Sequence, residues 1–184
     1  MYVSSGGVVS DATVLNNGFL YAYNGGVVSG AILSSGTLYA SGGTFVGATM
    51  SNGFLHVSNG GIVSDTTVSK GTMQVSRGGI ASGCSMVNSG RVNIFAGGSA
   101  DNVNVGQKTP LTLSSGGALA TRIIISGGGG RMNVSAGSTA SDVIVLSGGT
   151  VSVTANGAAL DVTSMTGATI IVAEGGTITY KEEI

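Results

Sequence analysis

The chain repeats one phrase about every 17 to 20 residues, and this period restricts its fold more than any other feature of the sequence. Each copy consists of a Gly-Gly turn, a short apolar segment, a Ser-Gly or Asn-Gly turn and a second short apolar segment. Residues 24–40 show all four parts, in the order NGGVVSGAILSSGTLYA. The end of the Gly-Gly turn recurs, in degenerate form toward the end of the chain, at Gly7, Gly26, Gly43, Gly61, Gly79, Gly98, Gly117, Gly137, Gly157 and Gly176. A repeat of this length is typical of a solenoid.

Apolar and polar residues alternate inside each apolar segment, which is the pattern of a β-strand. When the copies are stacked, the columns that begin at Val14, Leu20 and Ala22 are apolar in copy after copy. A fourth apolar column contains Val9, Val28, Phe45, Val63, Ala81, Ala100 and Leu119. One copy is too short to bury its own apolar face, so neighbouring copies must stack and pair their strands in parallel.

Besides its two turns, each copy has a third corner within its first apolar segment, and residues that tolerate a left-handed backbone occupy it. With the single exception of Arg122, it holds only Gly, Asp and Asn, at Asp11, Gly30, Gly47, Asp65, Gly83, Asn102, Asp142 and Asp161. Three corners per copy predict a flattened or triangular coil. We therefore predict an all-β fold, a right-handed parallel β-helix (β-solenoid) of about nine to ten coils with roughly 18–20 residues per coil.

The composition excludes several other classes of protein. The chain has 34 glycines in 184 residues without a Gly-X-Y period, which rules out collagen, and 42% of its residues are hydrophobic, which argues against disorder. No apolar run approaches the roughly 18 residues of a membrane-spanning helix, so we expect no membrane insertion of this segment. A net charge of −1 gives no electrostatic basis for binding nucleic acid.

Two residues invite a catalytic interpretation, and each has a simpler one. Cys84 is a candidate nucleophile or metal ligand, but it lies in a column of small apolar residues that includes Ala31 and Ala48, which predicts a buried structural thiol. His56, the single histidine, aligns with Tyr39 on an outward face. A Cys–His pair would need the two side chains together, so we predict no catalytic residue.

Metal and cofactor sites are also not expected. The chain has no cluster of His, Cys or carboxylate residues with the spacing of metal ligands. Asp11 and Asp65 lack the Gly-Gly-x-Gly-x-Asp spacing of calcium-binding solenoid repeats. The adjacent carboxylates Glu182 and Glu183 lie in the tail, where a pair for glycoside cleavage is not expected. We therefore predict that the protein is not an enzyme and holds no cofactor.

An aromatic strip is the first candidate for an interaction surface. Clustered aromatic side chains on an outward strand face often mark an interface, although ordinary cross-strand stacking is the alternative. The aromatic strip is predicted to contain Phe19, Tyr21, Tyr23, Tyr39, Phe54 and His56.

A row of serine hydroxyls is the second outward feature. It is either a row of candidate glycan acceptors or simply a solvated face made of small residues. The candidate acceptors are Ser10, Ser29, Ser64, Ser82 and Ser141.

The copies resemble the repeats of AIDA-type autotransporter adhesins of Gram-negative bacteria. The resemblance is carried by phrases such as residues 58–75, SNGGIVSDTTVSKGTMQV, and extends over almost the whole chain. It implies a β-helical passenger at the extracellular cell surface that mediates adhesion, autoaggregation or biofilm formation, with a host or bacterial surface receptor or self-association as partner. It also implies a glycosyltransferase that modifies repeat hydroxyls, often with heptose.

Met1 leads directly into the first repeat without a signal peptide. We therefore expect residues 1–184 to form a single β-solenoid domain that is a fragment of a longer passenger. A passive structural spacer or fibre element of a cell-surface or phage filament remains the alternative function. A carbohydrate-active β-helix is a third hypothesis, and it would require a cleft with acids and aromatics that the sequence does not indicate.

Overall fold

The computed structural model describes residues 1–181, so the carboxylate pair Glu182 and Glu183 lies outside the described residues. The described chain contains strands and turns, with no helix, and the strands stack in parallel as a β-solenoid of about nine turns. The predicted fold class is therefore confirmed. None of residues 1–181 forms a helix that is long and apolar enough to cross a membrane. The right-handed sense of the coil stays a prediction.

One sheet runs the length of the solenoid and takes a single strand from each coil. We call it the first sheet. Its ten strands are Tyr2–Val3, Gly18–Tyr23, Gly36–Ser41, Phe54–Ser58, Thr72–Val75, Arg91–Ile94, Pro110–Leu113, Arg131–Val134, Thr150–Val153 and Thr169–Val172.

The second sheet is divided lengthwise by the third corner. Each of the first five coils contributes two short strands, one before and one after the corner: Val8–Ser10 and Thr13–Val14, Val27–Ser29 and Ile32–Leu33, Thr44–Val46 and Thr49–Met50, Ile62–Ser64 and Thr67–Val68, and Ile80–Ser82 and Ser85–Met86. In the following coils one strand continues through the corner: Ser99–Val105, Leu119–Ile125, Thr139–Val145 and Ala158–Ser164, followed by Thr177–Tyr180. The two rows of short strands therefore join at Ser99–Val105, which pairs with both.

The strands pair in register, so each residue lies against its equivalent in the next coil. Leu38, for example, pairs with Leu20 on one side and Leu55 on the other, and all three side chains are fully buried. The columns that begin at Ala22 and Val14 are buried in the same way, so the apolar columns predicted from the sequence form one continuous core between the two sheets. The exception is Val172, the last member of the Ala22 column, which is 38% exposed.

The fourth column departs from the prediction at one position. Leu119 was expected in the core, but it is 51% exposed, and Ala120 instead pairs with Ala100 and Ala140. The reason is an extra residue in the turn 114–118, which shifts the following strand by one position. In the same coil the buried end of the Gly-Gly turn is therefore Ala118, not Gly117. In the next coil the turn 135–138 has the usual four residues, and its buried end is Ser138, one residue after the predicted Gly137.

The third corner is left-handed in every coil, as predicted. All nine corner residues have positive φ angles, from 50° at Asp142 to 65° at Gly47, and Arg122 is among them with a φ of 51°. The side chain of Arg122 is held by the carboxylate of Asp101 in the preceding coil, which forms an ion pair with it. A hydrogen bond from the Thr121 hydroxyl, together with those from the Arg122 guanidinium, lowers the pKa of Asp101.

Candidate interaction surface

The aromatic strip lies on the outer face of the first sheet. In the strand Gly18–Tyr23, Leu20 and Ala22 point into the core, so the alternate residues Phe19, Tyr21 and Tyr23 point outward. The next two coils place Tyr39, Phe54 and His56 on the same face, because these strands pair in register. The structure thus brings the six predicted residues together, while their role in binding stays a prediction.

Three of these rings, Tyr21, Tyr39 and His56, form with Tyr2 a stack along the solenoid axis, which we call the aromatic ladder. The ring centroids of Tyr21 and Tyr39 are 4.7 Å apart at an interplanar angle of 5°, and those of Tyr39 and His56 are 4.9 Å apart at 13°. These separations equal the spacing of neighbouring strands, so parallel pairing itself sets the stack. Stacked pairs of this kind contribute about 0.5–1.5 kcal/mol each beyond the area they bury.

Tyr2 completes the ladder and was not predicted. Its ring stacks on Tyr21 with centroids 4.7 Å apart, and it is 70% exposed. The signal was present in the sequence, because Tyr2 precedes Tyr21 by one repeat. With no full copy before it, however, the first strand has no Gly-Gly turn of its own to mark its register.

Phe19 and Phe54 lie beside the ladder and form a slot rather than a stack. In their column the residue between them is Thr37, so the two rings are separated by two strand spacings, roughly 9.5 Å. Each ring is nearly parallel to its neighbour in the ladder, which turns the faces of Phe19 and Phe54 toward each other. The slot has a volume of about 260 Å³ and is flanked by Asn17 and Asn52. Its size and lining suit the insertion of an apolar ring.

The ionisation of His56 reports on the ladder. Partial burial in the stack lowers the pKa of this imidazole below its ordinary value of 6.5, against the opposing effect of a hydrogen bond with Gln74. The unfolded chain therefore binds this proton more tightly, and the free energy of unfolding falls as the pH drops below 6.5 toward the folded-state value.

We expect NMR titration of this single histidine to give a midpoint below 6.5 in the folded protein and the ordinary value in denaturant. Replacing Tyr39 with serine removes a ring from one side of the imidazole and should move the midpoint back toward 6.5. A folded-state midpoint above 6.5 would contradict the shielding of His56.

The candidate glycan acceptors lie on the second sheet, away from the aromatic strip. Ser10 pairs with Ser29, and Ser64 pairs with Ser82, each on the outer side of the strands that precede the third corner. The row is interrupted by Val46, which pairs with both Ser29 and Ser64. Their role as acceptors stays a prediction.

Cys84 occupies the core column predicted for it. The residue is 1% exposed, and its thiol donates a hydrogen bond to the backbone carbonyl of Ser82 at 3.4 Å. Burial raises the pKa of the thiol to about 11. His56 lies on the outer face of the first sheet, so the fold does not bring the two residues together. Within residues 1–181, no three His, Cys, Asp or Glu side chains are grouped closely enough to hold a metal ion.

Cys84 should therefore react very slowly with thiol reagents in the native protein. A rise of the pKa from 9.0 to about 11 lowers the thiolate fraction near neutral pH roughly a hundredfold, and burial adds to this effect. We expect native labelling to be at least about a hundred times slower than labelling in denaturant, when both are followed by mass spectrometry at one pH. Equal rates would place Cys84 outside the core.

A solved structure is similar to this chain over almost its full length. It is a fragment of TibA that was hyper-glycosylated by TibC, and it matches with a TM-score of 0.71 and 26% sequence identity. The match covers 99% of this chain and 78% of the TibA fragment. No family model and no curated protein matched the chain. Because the TibA fragment is an AIDA-type autotransporter adhesin passenger, the resemblance predicted from the repeats is confirmed.

Proposed function

We propose that this chain, which is similar to an AIDA-type autotransporter passenger, is a surface adhesin segment that mediates adhesion and self-association through the side of its solenoid. The observation that carries the proposal is the likeness to the TibA fragment over 99% of the chain. The protein would act outside the cell, as one segment of a longer passenger. Its role would be to hold surfaces together, without catalysis.

The aromatic strip is the part of the side surface best suited to such contact. A net charge of −1 offers little long-range attraction, so contact must depend on shape, hydrogen bonds and apolar area. Phe19 and Phe54 are each about half exposed. Rigid aromatic side chains supply a large contact area at a small cost in conformational entropy.

Two copies of the chain can meet through this strip in a symmetric way. The slot between Phe19 and Phe54 accepts a ring, and each copy carries such rings on both sides of its own slot. In a two-fold arrangement the Phe54 ring of one copy enters the slot of the other, and the reverse contact follows by symmetry. We therefore propose isologous pairing of strips on facing cells as the adhesive contact.

Cell settling is the experiment that tests this function. The chain is displayed on a non-aggregating bacterium by a carrier autotransporter, and turbidity at the top of a standing culture is followed with time. The strip variant carries Tyr21→Ser, Tyr39→Ser and Phe54→Ser. The control variant carries Val8→Ser, Ile62→Ser and Ile80→Ser, which remove three exposed apolar side chains from the second sheet.

We expect cells with the wild-type chain and the control variant to settle together, and cells with the strip variant to stay suspended. If cells with the strip variant settle as fast as cells with the control variant, the aromatic strip is not the adhesive contact. If the wild-type chain causes no settling at any display level, the passive spacer becomes the better account.

Glycosylation is a second part of the proposal. The TibA fragment was modified by TibC, and we propose that a glycosyltransferase of the same kind modifies this chain at Ser10, Ser29, Ser64, Ser82 and Ser141. These hydroxyls lie on the second sheet, so sugars there would leave the aromatic strip free. Intact mass spectrometry after co-expression with TibC should show added sugars, fewer in a variant with the five serines changed to alanine. An unchanged mass increase in that variant would assign the acceptors elsewhere.

A further inference from the structure

The outward column that contains Phe19 and Phe54 also contains a pair of arginines. Arg91 and Arg131 are the first residues of their strands and lie on either side of Pro110, as the two phenylalanines lie on either side of Thr37. Their backbone positions are therefore two strand spacings apart, roughly 9.5 Å. Pro110 is compact and leaves the space between the arginines open.

These residues line a groove of about 450 Å³ with a third cation at one side. Lys108 lies in the turn before Pro110, and Gly128 and Gly129 form the adjacent wall. The side chain of Gln107 packs against Gly128, where a Cβ atom would lie 3.0 Å from it, and Lys108 lies beside Gly129. Three of the seven basic residues of the chain thus face one groove.

The positive charge of this groove is not neutralised within the described part of the chain. The ion pairs formed by residues 1–181 are Arg122 with Asp101 and Lys181 with Asp142, and neither involves a groove residue. The aspartates lie at or beside the third corner of the second sheet, at Asp11, Asp65, Asp101, Asp142 and Asp161. Arg91, Lys108 and Arg131 therefore have their guanidinium and ammonium groups available for an anion from outside.

We propose that this basic groove binds the acidic groups of a polysaccharide, either uronate carboxylates or sulfate esters. Arginine binds both groups through paired N–H donors. A column of polar residues lies beside the groove on the same outer face. It continues the column of the aromatic ladder, and its members are half-buried: Gln74, Asn93, Thr112, Asn133 and Ser152. Amide and hydroxyl groups at the strand spacing can hydrogen-bond successive sugar hydroxyls.

Nucleic acid fits this surface less well. Binding a nucleic acid backbone commonly involves about six to ten phosphate contacts on an extensive basic surface. Here three cations occupy one groove on a protein whose net charge is −1. A polymer with widely spaced charges and many hydroxyl groups matches the groove and its polar column better. This site is separate from the aromatic strip and goes beyond the proposed adhesive role.

Binding to polymers of known charge tests the proposal. The full chain is measured by biolayer interferometry against immobilised polygalacturonate, dextran sulfate, neutral dextran and double-stranded DNA. We expect binding to polygalacturonate or dextran sulfate, with the stronger of the two identifying the acidic group, and none to neutral dextran. Raising the salt from about 0.01 M to about 0.15 M shortens the Debye length from about 30 Å to about 8 Å and should weaken the binding markedly.

The double variant Arg91→Gln, Arg131→Gln should bind about 10- to 25-fold more weakly, since each lost charge contact is expected to contribute about three- to fivefold. The control is Arg77→Gln, which removes an exposed arginine outside the groove and should leave binding unchanged. Both variants alter exposed side chains, so their melting temperatures should match the wild type. The strip variant should also keep its polysaccharide binding, which separates this proposal from the adhesive one.

Three results would overturn the proposal: no binding to either acidic polymer, equal losses in the double variant and in Arg77→Gln, or binding to DNA at least as tight as to the acidic polysaccharides.

Discussion

Changing Gly43 to alanine is expected to lower the free energy of unfolding by about 3 kcal/mol or more. A Cβ atom at this position would lie 2.5, 2.6 and 2.7 Å from the carbonyl carbon, the carbonyl oxygen and the Cβ atom of Ala22 in the preceding coil. Two of these atoms belong to the backbone, which cannot yield without breaking the register of neighbouring strands. Gly43 therefore sets the distance between two coils. Denaturant unfolding followed by circular dichroism measures the effect.

The matched control is Gly47→Asn, four residues further along the same coil. Gly47 has a φ of 65°, and a Cβ atom there would meet nothing within 4 Å. Other coils place Asp65 and Asn102 at the equivalent corner with nearly the same backbone angle. We expect a change within about 0.5 kcal/mol. If Gly43→Ala were as stable as this control, the close contact between coils at Gly43 would not exist in solution.

Changing Phe45 to alanine is the second substitution with a large expected effect, a loss of about 3–5 kcal/mol. Phe45 is fully buried, and it is the bulkiest member of its column, between Val28 and Val63 in the adjacent coils. Neighbouring coils are held in register by their backbone hydrogen bonds, so they cannot close the space that the ring leaves. The midpoint of denaturant unfolding should fall accordingly.

Phe54→Ala provides the comparison, because it removes the same ring from the outer face. Phe54 is 49% exposed, so we expect a loss below about 1 kcal/mol. Similar losses for the two substitutions would mean that the assignment of inner and outer faces is wrong, since that assignment alone distinguishes them.

The repeat period was enough to predict most of the fold. Once the copies are aligned, a parallel stack places equivalent residues above one another, so the columns that begin at Leu20 and Ala22 could be assigned to the core without coordinates. The left-handed corner was predicted in the same way, including its unusual occupant Arg122. The ion pair of Arg122 with Asp101 was not predicted, because the two side chains belong to different coils and the sequence does not show that they point toward each other.

The misassignment of Leu119 originates in the length of one turn. The extra residue in the turn 114–118 shifts the next strand by one position, and in a strand a shift of one exchanges the inner and outer faces. This is why Leu119 was assigned to the core in place of Ala120. The basic groove was missed for a different reason: the alignment already places Arg91 and Arg131 in one outward column, but the groove also depends on where the turns place Lys108, Gly128 and Gly129.

The aromatic strip was predicted from spacing alone, but its chemistry was not. Six aromatic or imidazole side chains on one face indicated a surface of interest, without distinguishing rings that cover one another from rings that remain available. The structure separates these two groups. The ladder rings Tyr21 and Tyr39 stack on each other, whereas Phe19 and Phe54 face an open slot. The adhesive proposal therefore rests on the slot.

Sedimentation equilibrium tests the central claim most directly, because it measures association of the purified chain without a cell surface. The samples are the wild type, the strip variant Tyr21→Ser, Tyr39→Ser, Phe54→Ser, and the second-sheet control Val8→Ser, Ile62→Ser, Ile80→Ser. Our account predicts concentration-dependent association of the wild type and the control, and a monomeric strip variant. Association that persists unchanged in the strip variant would assign the contact to the open ends of the solenoid, and a wild type that stays monomeric at high concentration would contradict the account.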